Sequence, residues 1–129
     1  AAVKPSSAYY AEALKHETLT DTRVSRADYY IGRCLQVLGL PIVFGVELFQ
    51  EFESDQVAAT GLVPMPRRGQ SPIGGHCMLI VARDAKRDVY GLRNSWGTGW
   101  GQSGYCWVPR KYLLSKLASD FWTILTEAA

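Results

Sequence analysis

Three segments rich in β-branched and aromatic residues, His76–Arg83, Val89–Asn94 and Gly104–Val108, follow one another with brief connections, and that succession constrains the fold most. A parallel pair would need a crossover of a dozen or more residues, usually a helix. Asp84-Ala85-Lys86-Arg87-Asp88 and the glycine-rich Gly97–Ser103 are too short for that. The first two segments therefore read as a hairpin, and the third as its antiparallel continuation. Upstream, Ile42-Val43-Phe44-Gly45-Val46 follows Pro41 and reads as a buried strand, with Glu47 to Phe52 as a short helical turn.

One helix is predicted from Ser25. Ile31, Cys34, Leu35 and Leu38 recur at helical spacing on one face, Ser25 with Asp28 forms a capping-box-like start, and Gly39 and Pro41 provide the stop. Thr60 to Gly75, punctuated by Pro64, Pro66 and Pro72, has loop composition. The expected fold class is α+β, an antiparallel barrel-like sheet carrying a packed helix. Residues 1–129 read as a single domain, with 1–22 as a surface segment bearing Tyr9-Tyr10. The sequence opens on Ala1 rather than Met, as expected of a processed product or a piece of something longer.

Basic and acidic side chains number 14 and 12 and are interspersed, so the chain offers no basic stripe and no nucleic acid is expected as a partner. Its apolar runs fall short of the roughly 20 residues that cross a bilayer, so a soluble protein without a membrane partner is expected, in a compartment the sequence leaves open. Cys34, Cys77 and Cys106 have neither framework nor zinc spacing, and no two metal-ligand candidates share a face. No metal or other cofactor is expected, although a Cys77–Cys106 bridge stays open.

The chemistry concentrates in Gly74-Gly75-His76 and Asn94-Ser95-Trp96-Gly97-Thr98-Gly99-Trp100-Gly101. A histidine at the start of one strand and an asparagine at the end of the next are brought together by an antiparallel hairpin. An imidazole converts a neutral thiol into a nucleophilic thiolate, and a carboxamide oxygen on the far ring N–H orients the imidazole. His16, in a polar stretch, reads as a surface residue, and Trp100, Trp107 and Trp122 read as core.

These two segments, with Gly104-Tyr105-Cys106-Trp107, resemble the histidine and asparagine motifs of papain-like (C1) cysteine peptidases. Leu40-Pro41-Ile42-Val43-Phe44-Gly45-Val46 and Ser119-Asp120-Phe121-Trp122-Thr123-Ile124 are similar to the version found in bacterial and phage relatives. The resemblance implies the right-hand half of the papain-like fold. It assigns His76 as general base and acid, Asn94 as its orienter and Trp96 as an aromatic cover, with Gly97, Gly99 and Gly101 supplying backbone angles that a β-carbon forbids. The family's nucleophile lies in a preceding half, in a Cys-Gly-Ser-Cys-Trp-like or Gly-Ser-Cys-like segment with an upstream glutamine, and this chain contains neither. None of its own cysteines is a fitting substitute: Cys77 should point away from His76 along the strand, and Cys34 and Cys106 read as packed.

The resemblance thus implies a His/Asn-bearing half of a peptidase that hydrolyses peptide bonds through a thioester acyl-enzyme. Its partner would be a Cys-bearing N-terminal half, from the same precursor or a separate chain, and its substrate a peptide or protein. The alternative is a non-catalytic papain-fold module used for binding or structure.

Overall fold

The structure is a computed structural model that describes residues 4–16 and 18–126. Its frame is an antiparallel sheet of β1 (Thr18–Arg23), β2 (Ile42–Leu48), β3 (Gly74–Asp84), β4 (Val89–Arg93), β5 (Tyr105–Pro109) and β6 (Ala118–Thr126), in the order β1-β6-β2-β3-β4-β5. Alternation explains why β2 lies at its centre. Ile42, Phe44, Val46 and Leu48 are all buried, and the residues between them face outward. Against that face pack Met78 and Ile80 of β3, Tyr90 and Leu92 of β4, Cys106 and Val108 of β5, and Phe121 of β6, whose ring stacks on Phe44 at 5.3 Å.

The α-helices among the described residues are α1 (Ser7–Ala13), which buries none of its residues, α2 (Asp28–Gly32), α3 (Asp55–Thr60) and α4 (Arg110–Leu113). The expected strands are present within a residue or two of their predicted bounds, and β2 and β3 run furthest beyond them. Within residues 1–22 the structure places the exposed α1, with Tyr9 and Tyr10 open to solvent, and most of β1, which pairs with β6. His16 lies outside the residues whose side chains are described.

The predicted helix from Ser25 differs from the one observed, for two physical reasons. Its N-cap is Ala27 with no side-chain cap. Asp28, instead of closing a box with Ser25, accepts hydrogen bonds from Tyr90 Oη and Arg83 Nε. After Gly32 the chain widens into a π-helical turn over Arg33–Val37, where the Leu38 N–H reaches back to the Arg33 carbonyl. The extra residue rotates Leu38 off the apolar face. Ile31 is buried, Cys34 and Leu35 are half-buried, and Leu38 is exposed.

The turn from Glu47 lies later than expected, because β2 continues to Leu48 and a 3-10 turn occupies Gln50–Glu53. The loop expected from Thr60 begins just after α3, a helix that sequence patterning missed. Ser54 Oγ accepts from the Val57 N–H at its start, and Gly61, at φ +68, ends it. Two ties hold helices to strands. The Tyr112 hydroxyl donates to the Glu47 carbonyl at 2.6 Å, and Asp88 Oδ1 accepts from Arg83 at 2.9 Å and from Arg110 at 2.7 Å.

The two edges of the sheet differ. The Val63 N–H donates to the Trp107 carbonyl and the Trp107 N–H to the Gly61 carbonyl, so the 61–63 segment caps β5. Among the described residues no strand pairs with the outer edge of β1.

Partial burial raises the pKa of the Asp28 carboxyl, but hydrogen bonds from Tyr90 and Arg83, aided by the charges of Arg83 and Arg110, outweigh it and hold that pKa below its ordinary value. A carboxylate whose pKa is lower in the folded than in the unfolded chain contributes stability that is complete above the unfolded pKa and lost as pH falls through the folded one. The midpoint of urea unfolding is therefore expected to decline as pH drops below about 4. Asp28→Asn should flatten that decline, and an unchanged pH profile would contradict the assignment.

Candidate active site

The site forms where β3 begins and β4 ends. Gly74, Gly75 and His76 open β3 opposite Leu48, Glu47 and Val46 of β2, while Leu79 faces Arg93 across the β3–β4 ladder. Asn94 follows β4 directly and is anchored by its own N–H on the Gly104 carbonyl at 2.9 Å. Its side chain points inward and is almost wholly buried. His76 Nε2 lies 2.9 Å from Asn94 Oδ1, and the same oxygen accepts from the Ser95 N–H at 2.8 Å. Asn94 Nδ2 is buried without a hydrogen-bond partner among the described residues, as is Trp100 Nε1.

Three aromatic rings adjoin one another at the site. The Trp96 ring lies 5.3 Å from the His76 ring at a 32° tilt, and Trp100 meets Trp96 edge-on at 5.2 Å. Trp100 is buried and Trp96 is 38% exposed, so Trp96 screens the imidazole while Trp100 props Trp96 from behind. The supporting role of Trp100 went unread in the sequence, where its apolar character indicated only core. Trp107 and Trp122 are half-buried rather than fully enclosed. Arg87 stacks over Trp107 at 4.4 Å and Arg23 over Trp122 at 5.5 Å.

The loop after Asn94 owes its shape to backbone that side chains rarely adopt. Gly101 sits at φ +60, and a β-carbon there would lie 2.4 Å from the Tyr105 carbonyl oxygen. Its N–H donates to the Ala58 carbonyl in α3, fastening the loop to that helix. Gly97 also has positive φ, whereas Gly99 has ordinary φ and open space around it, so the requirement expected there is absent.

The three cysteines are free, so the Cys77–Cys106 bridge does not form. Cys77 neighbours His76 on a strand and is exposed on the opposite face. Cys106 is fully buried, and burial pushes its thiol up to about 12, while burial also raises that of Cys34. Neither of these two thiols suits thiolate chemistry. Among the described residues no group of three or more His, Cys, Asp or Glu side chains could hold a metal ion, and no helix is long and apolar enough to cross a membrane.

An imidazole held by a buried carboxamide, at the mouth of an antiparallel sheet with a glycine-tryptophan loop over it, is the right-hand half of a papain-like fold. Comparison with known proteins agrees. The model of the papain family of cysteine proteases matches residues 51–122. An uncharacterized peptidase C1-like protein of Acanthamoeba polyphaga mimivirus is 38% identical over 130 aligned residues, which are 95% of this chain and 42% of that protein. Xylellain, a cysteine protease from Xylella fastidiosa, superposes with a TM-score of 0.87 at 32% identity, over 98% of this chain and 47% of its own. A procathepsin B from Trypanosoma congolense, 14% identical over 88% of this chain and 38% of its own, shares the fold with a TM-score of 0.63. The chain belongs to the papain family of cysteine proteases, and it spans less than half the length of these relatives.

Two outcomes follow from this geometry. Gly101→Ala should lower stability by about 1–3 kcal/mol for the left-handed backbone alone, with the collision at Tyr105 adding to it; urea unfolding measures the sum. Alkylation of the native protein with iodoacetamide should modify Cys77 first, with Cys106 reacting only on unfolding. Peptide mapping that found Cys106 labelled in the native state would contradict the burial described.

Proposed function

We propose that this chain supplies the histidine and asparagine of a papain-like cysteine peptidase site, and that the nucleophilic cysteine comes from a separate half, carried by the same precursor or by another chain. The observation that carries the proposal is the 2.9 Å contact between His76 Nε2 and Asn94 Oδ1 beneath Trp96. With Nε2 held by the carboxamide, Nδ1 is the nitrogen left for a thiol. It takes the thiol proton to form the thiolate, then returns a proton to the leaving amine as the thioester acyl-enzyme forms. Water, activated by the same imidazole, releases the acyl group and restores the thiol. Asn94 keeps the ring at the angle this exchange needs, and Trp96 keeps water from competing for the hydrogen bond.

The three cysteines of the chain are poor candidates for the attacking sulfur: one is on the wrong face and two are burdened by burial. The remaining requirement is a partner segment with a thiol and an oxyanion donor, acting on a peptide or protein substrate. The test is reconstitution. Co-expression with the Cys-bearing half should produce hydrolysis of a fluorogenic peptide amide that neither half shows alone. His76→Ala should reduce that rate by about 10²–10⁴-fold, the range for loss of a general acid–base group. A reconstituted, folded complex without hydrolysis would overturn the proposal.

A further inference from the structure

The two hydrogen bonds on Asn94 Oδ1 carry different information. An imidazole nitrogen donates or accepts according to its tautomer, so the His76 contact at 2.9 Å is satisfied by either orientation of the Asn94 amide. A peptide nitrogen only donates. The Ser95 N–H, 2.8 Å from the same atom, is therefore satisfied only when that atom is oxygen. On the far side of the amide Nδ2 is buried with no partner among the described residues, so none of them favours one orientation over the other there. The residue is 9% exposed, which leaves solvent little access to decide the matter.

We propose that the Ser95 main-chain N–H is the positioning group of this site: it fixes the polarity of the Asn94 carboxamide and, through it, places the His76 proton on Nε2. A half-turn of the amide would set Nδ2 against the Ser95 N–H, donor against donor. It would also make the ring accept at Nε2 and carry its proton on Nδ1, where it could not receive one from a thiol. The serine side chain takes no part in this. The N–H is aimed by the backbone, which is pinned by the Asn94 N–H on the Gly104 carbonyl and by the positive φ of Gly97 and Gly104. Sequence patterning cannot see such a group, because every residue but proline supplies it.

This inference rests on the proposed function only for its catalytic consequence, and its test needs no activity. In isotope-labelled protein, at a pH above the titration of the ring, long-range proton–nitrogen correlation spectra report which imidazole nitrogen carries hydrogen. The wild-type chain and Ser95→Ala should both show His76 protonated on Nε2. Ser95→Pro, which removes the N–H, should bring up the Nδ1–H form. Adding Asn94→Asp to Ser95→Pro should restore Nε2–H, because either carboxylate oxygen accepts. Should the proline variant fail to fold, the scalar coupling across the hydrogen bond from the Ser95 nitrogen to the Asn94 side-chain carbonyl carbon decides in the wild type. Its presence supports the inference and its absence overturns it. An Nδ1–H ring in the wild type, or an unchanged Nε2–H ring in a folded Ser95→Pro variant, also overturns it. If the tautomer is as expected and the reconstituted complex is inactive, the peptidase proposal fails and this inference stands.

Discussion

The pairing of β3 with β4 is the constraint on which the site depends. Side chains along a strand alternate between faces, so a slip of one residue would turn His76 outward and bring Cys77 to its place. The ladder runs from Asp84 opposite Val89 to Leu79 opposite Arg93, with an irregularity between Ile80 and Ala82 that leaves Val81 unmatched. That bulge sets the phase of every residue before it, His76 included. Burial of Ile80 and Met78 against Leu92 and Phe44 makes the register costly to change.

Much of the frame was legible because its patterns are local. β2 announces itself through a short β-branched and aromatic run after Pro41, and the hairpin through two apolar segments with a polar turn between them. His76 and Asn94 were legible for a related reason: strands with short connections bring their ends together whatever surrounds them. Family resemblance added the roles proposed for these residues and the expectation that Trp96 lies over the imidazole, where its ring is found 5.3 Å away. The expectation of a half-fold with a sheet and a packed helix agrees with the structural neighbours.

What was illegible depends on partners distant in sequence or on backbone details that composition does not encode. Asp28 looked like half of a capping box, yet Tyr90 and Arg83, far along the chain, offered it stronger partners. Leu38 matched the helical period, but a π-turn, for which periodicity has no symbol, moved it to solvent. α3 was hidden by its brevity, since Ser54 and Gly61 bound only a turn and a half, too little for an apolar stripe to emerge. Gly99 resembled its neighbours in composition while its backbone has no need of glycine. In each case a local signal was present and a tertiary contact or a backbone detail decided the outcome.

The unequal edges of the sheet give the fold a direction. On the β5 side the chain has already occupied its own backbone donors and acceptors with the 61–63 segment, and that side is closed to company. On the β1 side the ladder stops among the described residues. A strand arriving from elsewhere could extend this sheet only from the end remote from Asn94, so enlargement of the architecture there leaves the hairpin that holds the imidazole undisturbed.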